Sequence, residues 1–362
     1  MHDFTVEIKK KIGFYANPLI ILYSFVPLII NKKKLIMKKL ITLMSLAVVG
    51  LTFGQEEEPK FNVSGSVDAY YRANLTSAND EDGTGDYSAF ANDSGFSLGM
   101  ANVTLSYEGE KVGFVADMAY GPRADEWNGG VVNEAYVYWN VNEKVSLMMG
   151  RFNSWMGYER ISAANNFHYS MSHMFTYSAR NWNGLVGQFD LGNDFNFGVA
   201  VMNPTDVVTG NTSGDYSIAA GISKGDTGIS FASSQERTYI DFKTAVNLGN
   251  INVKLNVHNA DFGDEGFALG ESFTSISAYP QIKSSDNLSW GLRLEYMMIK
   301  DSIVGDDLNV FTPTLTANYS VGDLTIIPEL RLDSASEDIF TDNDNDAVGG
   351  KTAFMLAAVY SF

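Results

Sequence analysis

The residues best suited by type and spacing to carry out chemistry are two histidines, His168 and His173, with Ser170 and Ser172 between them. A serine becomes a nucleophile when a histidine accepts its proton and a third group orients the imidazole, and no spacing here implies that third group. Two histidines without a neighbouring glutamate at zinc spacing make a weak metal site. We therefore expect no enzymatic activity, no catalytic residue and no cofactor.

The segment that follows Arg151 carries charges of both signs and breaks the pattern of its surroundings. Residues 154–176 are rich in Asn, Ser, Tyr, Met and His. A loop of this length usually packs in a place of its own. Our hypothesis is that it folds inward and narrows a lumen, where opposed charges set ion and solute selectivity; the alternative is an outer loop with surface ion pairs. The charges are Arg151, Glu159, Arg160 and Arg180.

Other polar side chains alternate with apolar ones along predicted strands. Lys254 lies between Val253 and Leu255, and similar alternation runs through 288–298 and 324–332. In a membrane barrel the apolar face contacts lipid and the polar face lines the lumen. The full set of candidate pore-lining or constriction residues is Glu134, Arg151, Glu159, Arg160, Asn165, Tyr169, Arg180, Lys254, Arg293, Glu295, Glu329 and Arg331.

An acidic stretch near the carboxyl end resembles the start of a calcium loop. Asp342, Asp344 and Asp346 stand at alternate positions, but the sixth position is Ala347 and the twelfth is Ala353. An EF-hand needs glycine and an acid at those positions, so we expect at most weak calcium binding or bridging to lipopolysaccharide. A solvated acidic loop is the alternative.

These residues are positioned by a chain whose apolar residues recur at every second place. The pattern begins at residues 61–72 and returns in the last strand, 352–362, which ends on Phe362. A soluble β-sandwich also alternates. Long strands, charges in mid-strand and loops of unequal length favour a membrane barrel, and the aromatic end is similar to the signal read by barrel-assembly machinery.

The lengths of the connections between predicted strands indicate the topology. Turn sequences such as 225–226 and 248–250 contrast with long polar stretches such as 74–94 and 153–181. We predict an all-β fold, a single antiparallel transmembrane β-barrel with short periplasmic turns and long outer loops. About 16 strands fit the length, and 14 is the alternative because residues 205–237 are hard to divide.

The first 54 residues are typical of export. Residues 37–54 combine a basic start, an apolar run and small residues, which predicts a secretory signal peptide. Residues 1–36 are then a spurious start or an extended leader, with a membrane anchor as the alternative. The barrel takes residues 55–362. The expected location is the outer membrane of a Gram-negative-type bacterium.

The composition of the chain excludes a lipid anchor on cysteine and one class of binding partner. The chain has no cysteine, which excludes a lipoprotein anchor, and its net charge is −18. Residues 1–54 hold eight of the 25 basic residues and two of the 43 acidic ones, so the remainder is more acidic still. Such a chain does not bind nucleic acid through its phosphates.

The most distinctive segment spans residues 133–173. It reads Asn-Glu-Ala-Tyr-Val-Tyr at 133–138, Gly-Arg-Phe at 150–152, Gly-Tyr-Glu at 157–159 and Tyr-Ser at 169–170. In these motifs the chain resembles the OmpL-like outer-membrane β-barrel porin family. The resemblance implies an outer-membrane barrel that passes small solutes.

The function that we expect is passive diffusion of small hydrophilic solutes or ions through a water-filled lumen. Cation preference follows if the lumen shares the acidic excess of the chain. The alternative is a closed structural or adhesive barrel that binds ligands through its acidic loops. Expected partners are outer-membrane lipid and lipopolysaccharide, the assembly machinery, solutes or ions, and further copies of the chain in a homo-oligomer.

Overall fold

The computed structural model describes residues 61–79, 93–128, 130–205, 210–234, 237–305 and 307–362. The predicted leader and signal peptide, 1–54, lie outside the described residues. Within them, no helix is both long enough and apolar enough to cross a membrane.

Sixteen antiparallel strands form one closed barrel. Each barrel strand pairs with the next one along the chain, and the last barrel strand also pairs with the first. The barrel strands are β1 Phe61–Asn74, β2 Gly95–Glu108, β3 Val112–Tyr120, β4 Val132–Asn142, β5 Val145–Asn153, β6 Asn181–Gly192, β7 Phe195–Met202, β8 Ser217–Lys224, β9 Thr227–Ser234, β10 Arg237–Leu248, β11 Ile251–Asp261, β12 Ser272–Lys283, β13 Leu288–Lys300, β14 Leu308–Val321, β15 Leu324–Ala335 and β18 Gly350–Ser361.

The two ends of the sheet close on each other. The register runs from Ser66 opposite Ser361 to Asn74 opposite Ala353. Closure pairs the edge strands and leaves no free sheet edge, which is the condition for a β-structure to span lipid. The predicted antiparallel barrel of 16 strands is therefore confirmed.

Residues 205–237, which left 14 strands open as an alternative, contain two short strands, β8 and β9. Their residues are mostly Ser, Gly, Ala and Ile, so the contrast between the two faces is weak in the sequence. The turn between them at Gly225 adopts φ 53°, a left-handed conformation that glycine reaches without strain.

The outer wall is apolar and the inner wall is polar along most strands. In β13, Trp290 and Tyr296 are each 41% exposed, whereas Arg293 and Glu295 between them are fully buried. This arrangement reverses that of a soluble domain, as expected for strands with one face toward lipid.

All long connections lie at one end of the barrel, and the opposite end has short turns only. The long connections hold helix α1 (Pro122–Asn128), helix α2 (His173–Tyr177), 3-10 turns at Ala163–Asn165 and Gly263–Glu265, and a small hairpin formed by β16 (Phe340–Thr341) and β17 (Ala347–Val348). By the convention for such barrels, the short turns face the periplasm.

Candidate functional site

The segment 154–180 lies inside the barrel; we call it the inward segment. It leaves β5 at Asn153 and returns to the neighbouring strand β6 at Asn181, and those two residues face each other in the sheet. Met156, Ile161 and Met171 of the segment are at most 4% exposed. The segment therefore packs against the inner wall and narrows the lumen.

Two glutamates on the inner wall accept hydrogen bonds from the main chain of the inward segment. The carboxylate of Glu329 accepts from the N–H groups of 169–170 at 2.8 and 3.1 Å. The carboxylate of Glu295 accepts from those of 173–174 at 2.8 and 2.7 Å. These main-chain groups, buried at the centre of a barrel, therefore have charged partners in place of water.

Two arginines of the same wall donate hydrogen bonds to the inward segment, whereas the two glutamates accept them. Arg293 donates to the carboxylate of Glu159 at 2.7 Å. Arg331 donates to the carbonyl oxygen of Met171 and pairs with Asp333 of its own strand at 2.7 Å. Because all four charged groups are buried, each ion depends on its partner for stability.

Strand β1, which is separated from β15 by β18 alone, adds a third attachment. The Tyr169 hydroxyl donates to Asp68 of β1. Arg123 of helix α1 donates to the carbonyl oxygens of Ile161 at 2.8 Å and of Tyr169 at 3.0 Å. The inward segment is thus held from strands β1 and β13–β15 and from the neighbouring long loop.

His168 of the inward segment contacts the wall through Thr316, with 2.7 Å between Nδ1 and Oγ1. Burial is the largest cause that lowers the pKa of His168 well below its ordinary value, and the positive charges of Arg293 and Lys254 add to it. The ring is therefore neutral at physiological pH and acts as a hydrogen-bonding group of the packing.

Glycines on the wall provide space for aromatic rings of the inward segment. A Cβ at Gly291 would lie 2.2 Å from the ring of Phe167, and one at Gly198 would lie 2.9 Å from the ring of Trp155. Both positions therefore require close approach of a ring to the backbone, which only glycine permits without movement.

A cavity of about 790 Å³ occupies the short-turn end of the barrel. Turn residues such as Lys111 and Glu143 surround it, together with residues of β6–β10, and Trp155 and Arg160 of the inward segment also line it. A small solute could reside in this cavity inside the barrel.

The outer half of the lumen is apolar, contrary to the expectation that inner faces are polar throughout. Phe262, Phe273, Met297, Val310 and Phe340 are buried there in one cluster. Two of them come from long connections and three from inner strand positions. The sequence of β13 contained a signal for this cluster, since residues 296–299 at its outer end are apolar on both faces.

The predicted site residues separate into three groups. Glu159, Tyr169, Arg293, Glu295, Glu329 and Arg331 form the buried attachment of the inward segment. Arg160 and Lys254 are half-buried near the cavity, and Asn165 is exposed. The remaining three, Glu134, Arg151 and Arg180, lie at the root of the inward segment.

The hypothesis of opposed charges across a constriction needs one correction. Glu159 is 6% exposed and binds Arg293, so it does not face Arg160 across open space. Sequence reasoning missed Asp68, Arg123 and Lys243, because their contacts join residues far apart in the chain.

The acidic stretch at 342–346 is organised by its own main chain. The Asp342 carboxylate accepts from the N–H groups of Asp344 at 2.8 Å and Asp346 at 3.0 Å. Over the described ranges, no group of three or more His, Asp or Glu side chains has an arrangement that could hold a metal ion. Calcium binding at this stretch stays a prediction.

Both histidines of the inward segment and Ser170 have partners on the wall. His173 contacts Asp333 at 2.9 Å, and the Ser170 hydroxyl accepts from Arg293 at 3.0 Å. A nucleophilic serine needs a histidine as its base, whereas His168 contacts Thr316 and His173 contacts Asp333.

Comparison with known proteins gives a consistent family and fold. A family described as "Putative beta-barrel porin-2, OmpL-like" matches residues 60–362. No curated protein matches the chain significantly. Among solved structures, the anion-selective porin from Comamonas acidovorans has a TM-score of 0.58 at 12% identity and covers 83% of this chain and 99% of its own.

Two other structures of outer-membrane proteins are similar to nearly the same extent. The outer membrane channel DcaP of Acinetobacter baumannii has a TM-score of 0.54 at 12% identity, covering 83% of this chain and 97% of its own. The trimer form of OmpT of Vibrio cholerae has a TM-score of 0.54 at 11% identity, covering 83% and 99%. At such identities the likeness concerns the fold alone.

Proposed function

Because the chain belongs to the OmpL-like β-barrel porin family, we propose that it is an outer-membrane channel for the passive diffusion of small hydrophilic solutes or ions. The observation that carries the proposal is the closed barrel of 16 strands with an apolar outside and charged side chains inside. Barrels of 16 strands have an interior wide enough for an aqueous channel, whereas eight strands are filled by their own side chains.

The distribution of charge bears on the ion preference. The prediction of cation preference depends on a lumen that has an excess of acidic residues, as the whole chain has. Among the described residues, however, six basic and seven acidic side chains are buried, which is close to balance. The acidic excess therefore belongs to exposed turns and loops, and the proposal does not include cation preference.

The test is single-channel recording of the purified, refolded protein in a planar lipid bilayer. Stable open steps, together with a reversal potential under a salt gradient, would support the channel and give its ion preference. Barrel folding is verified on the same sample, so that an absence of current cannot be attributed to unfolded protein.

A second candidate function is a closed barrel that binds ligands at its outer face. The apolar cluster around Phe262 and Phe340 favours it, because this cluster and the inward segment together occupy much of the lumen. Silence from a folded barrel would favour this candidate over the channel.

The remaining partners are part of the proposal. Outer-membrane lipid surrounds the apolar wall, lipopolysaccharide contacts the long loops, and the assembly machinery inserts the barrel. The trimer form of the Vibrio cholerae structure supports a homo-oligomer, which crosslinking in membranes would detect.

A further inference from the structure

The cavity at the short-turn end has charged groups of both signs at its mouth and basic groups at its inner end. The exposed turns carry three acidic and two basic side chains, Glu110, Glu143, Asp190, Lys111 and Lys144, whereas Arg160 and Lys243 line the cavity farther in. Lys243 stands five residues before the end of β10, a distance of about 17 Å at the rise of a strand. A solute that enters from this end therefore meets Arg160 and Lys243 last.

The ammonium of Lys243 has neutral partners only. Its Nζ donates to the carbonyl oxygens of Trp155 at 2.9 Å and of Gly157 at 3.3 Å. No carboxylate of the described residues lies within ion-pairing distance of it. Because an ammonium has three N–H donors, one donor and the full charge remain for a ligand in the cavity.

Arg160 lies in a fixed position beside the cavity. Its main-chain N–H donates to the side chain of Asn166 at 2.8 Å, and its carbonyl oxygen accepts from the same side chain at 2.6 Å. The guanidinium uses Nη1 to donate to the Glu159 carbonyl oxygen at 2.8 Å. A guanidinium has five N–H donors, so several remain for an anion.

A third cation belongs to the same cluster. The Nζ atoms of Lys243 and Lys254 lie 5.8 and 5.4 Å from the centre of the Tyr158 ring. Only two carboxylates of the described residues act on Arg160: Glu134, which accepts from the N–H of Asn153 at 3.0 Å, and Asp241, which accepts from Asn256 at 2.8 Å. Half-buried positive charge in a cavity is thus in local excess, although the chain as a whole is strongly acidic.

An apolar surface adjoins these cations. The ring of Trp155 packs on Gly198 and Gly221 of the wall, where an added Cβ would lie 2.9 and 3.4 Å from it. Trp155 also lines the cavity and is only half-buried. Its ring therefore offers a flat apolar contact next to Lys243.

From this arrangement we propose that the inner end of the short-turn cavity is a binding site for small organic carboxylates. The carboxylate binds Arg160 and Lys243, and the apolar part of the molecule packs on Trp155. The role of the site in selecting solutes rests on the proposed channel function, whereas the binding itself does not. Arg160 and Lys243 favour molecules that carry a negative charge, and the ring of Trp155 favours an otherwise uncharged body.

The test uses benzoate as the probe and benzamide, its neutral analogue of the same shape, as the matched ligand. Binding to the refolded protein in detergent is measured by isothermal titration calorimetry. We expect benzoate to bind, and benzamide to bind at least about tenfold more weakly. The net free energy of a hydrogen bond to a charged group corresponds to about this ratio of affinities. Equal affinities for the two probes would overturn the proposal.

Variants locate the site. Lys243→Gln and Arg160→Gln should each lower benzoate affinity about tenfold, and Lys243→Arg, which keeps the charge, should retain most of it. Lys144→Gln changes an exposed residue at the mouth of the same cavity and should have little effect. If Lys144→Gln and Lys243→Gln lower affinity equally, the effect is one of general charge and the site is refuted.

Bilayer recording separates this inference from the proposed function. Benzoate binding in a protein that passes no current would retain the site and reject the channel. Open steps from a protein that binds no benzoate would retain the channel and reject the site. If the protein both conducts and binds benzoate, benzoate should reduce the chloride current of the wild type and leave that of Lys243→Gln unchanged.

Discussion

Replacing Arg293 with alanine tests whether the wall of the lumen holds the inward segment in place. The guanidinium is fully buried and donates to Glu159 and to the carbonyl oxygen of Ser170, both at 2.7 Å. Arg293→Ala removes these bonds and leaves the buried Glu159 carboxylate without its cation. Removal of one partner from a buried ion pair costs about 3–5 kcal/mol.

This cost should fall on the inward segment and spare the barrel, because β13 keeps its main-chain pairing with β12 and β14. A loss of about 1.4 kcal/mol in the free energy of local opening accelerates amide exchange tenfold. Exchange at residues 169–174 should therefore become at least about 100-fold faster, while strand amides keep their rates. Hydrogen–deuterium exchange with mass spectrometry measures both regions in one sample.

The control is Lys283→Ala, which breaks an exposed ion pair with Asp286 in a short turn. Exposed pairs contribute little to stability, so exchange in the inward segment should not change. In addition, Arg293→Ala combined with Glu159→Ala should cost less than the two single changes together. Wild-type exchange at 169–174 in Arg293→Ala would refute the argument that the wall fixes the segment.

Two further predictions concern the packing of the inward segment. His168 is neutral when buried and regains its ordinary pKa of about 6.5 when the segment opens, so the open form binds the extra proton. Protection of the segment against exchange should therefore fall as the pH drops below about 6.5, and His168→Asn should weaken this dependence; an equally steep pH profile in that variant would contradict the assignment. Gly198→Ala places a methyl group 2.9 Å from the Trp155 ring, so the ring should move into the cavity. A red shift in tryptophan fluorescence that is absent in Trp155→Phe would detect the movement, and an unshifted spectrum would show that the ring does not depend on the glycine.

Much of the barrel was predictable because one physical rule, the alternation of lipid-facing and inward-facing residues, recurs in every strand. Alternation placed Arg293 and Glu295 on the inner face of β13, where they lie. The rule was less informative in β8 and β9, where small residues occupy both faces and only pairing with neighbours fixes the strands.

The site was predictable only in part. The composition of 154–176, which is rich in Asn, Ser, Tyr, Met and His, indicates a packed segment, and the sequence places Glu159, Arg293 and Glu329 among the candidate inner residues. Their pairing was not predictable, since Glu159 meets Arg293 across 134 positions of sequence. The apolar outer half of the lumen was missed because the alternation rule assigns every inner position to water.

The way in which the wall holds the inward segment also affects how this protein can be altered. Glu295, Glu329 and Arg331 bind N–H and carbonyl groups that every non-proline residue supplies, so they fix the path of the segment without specifying its side chains. Side chains directed into the cavity, such as Arg160, are therefore exchangeable while the backbone keeps its course. A lumen built in this way lets solute preference change through single substitutions, with the scaffold left intact.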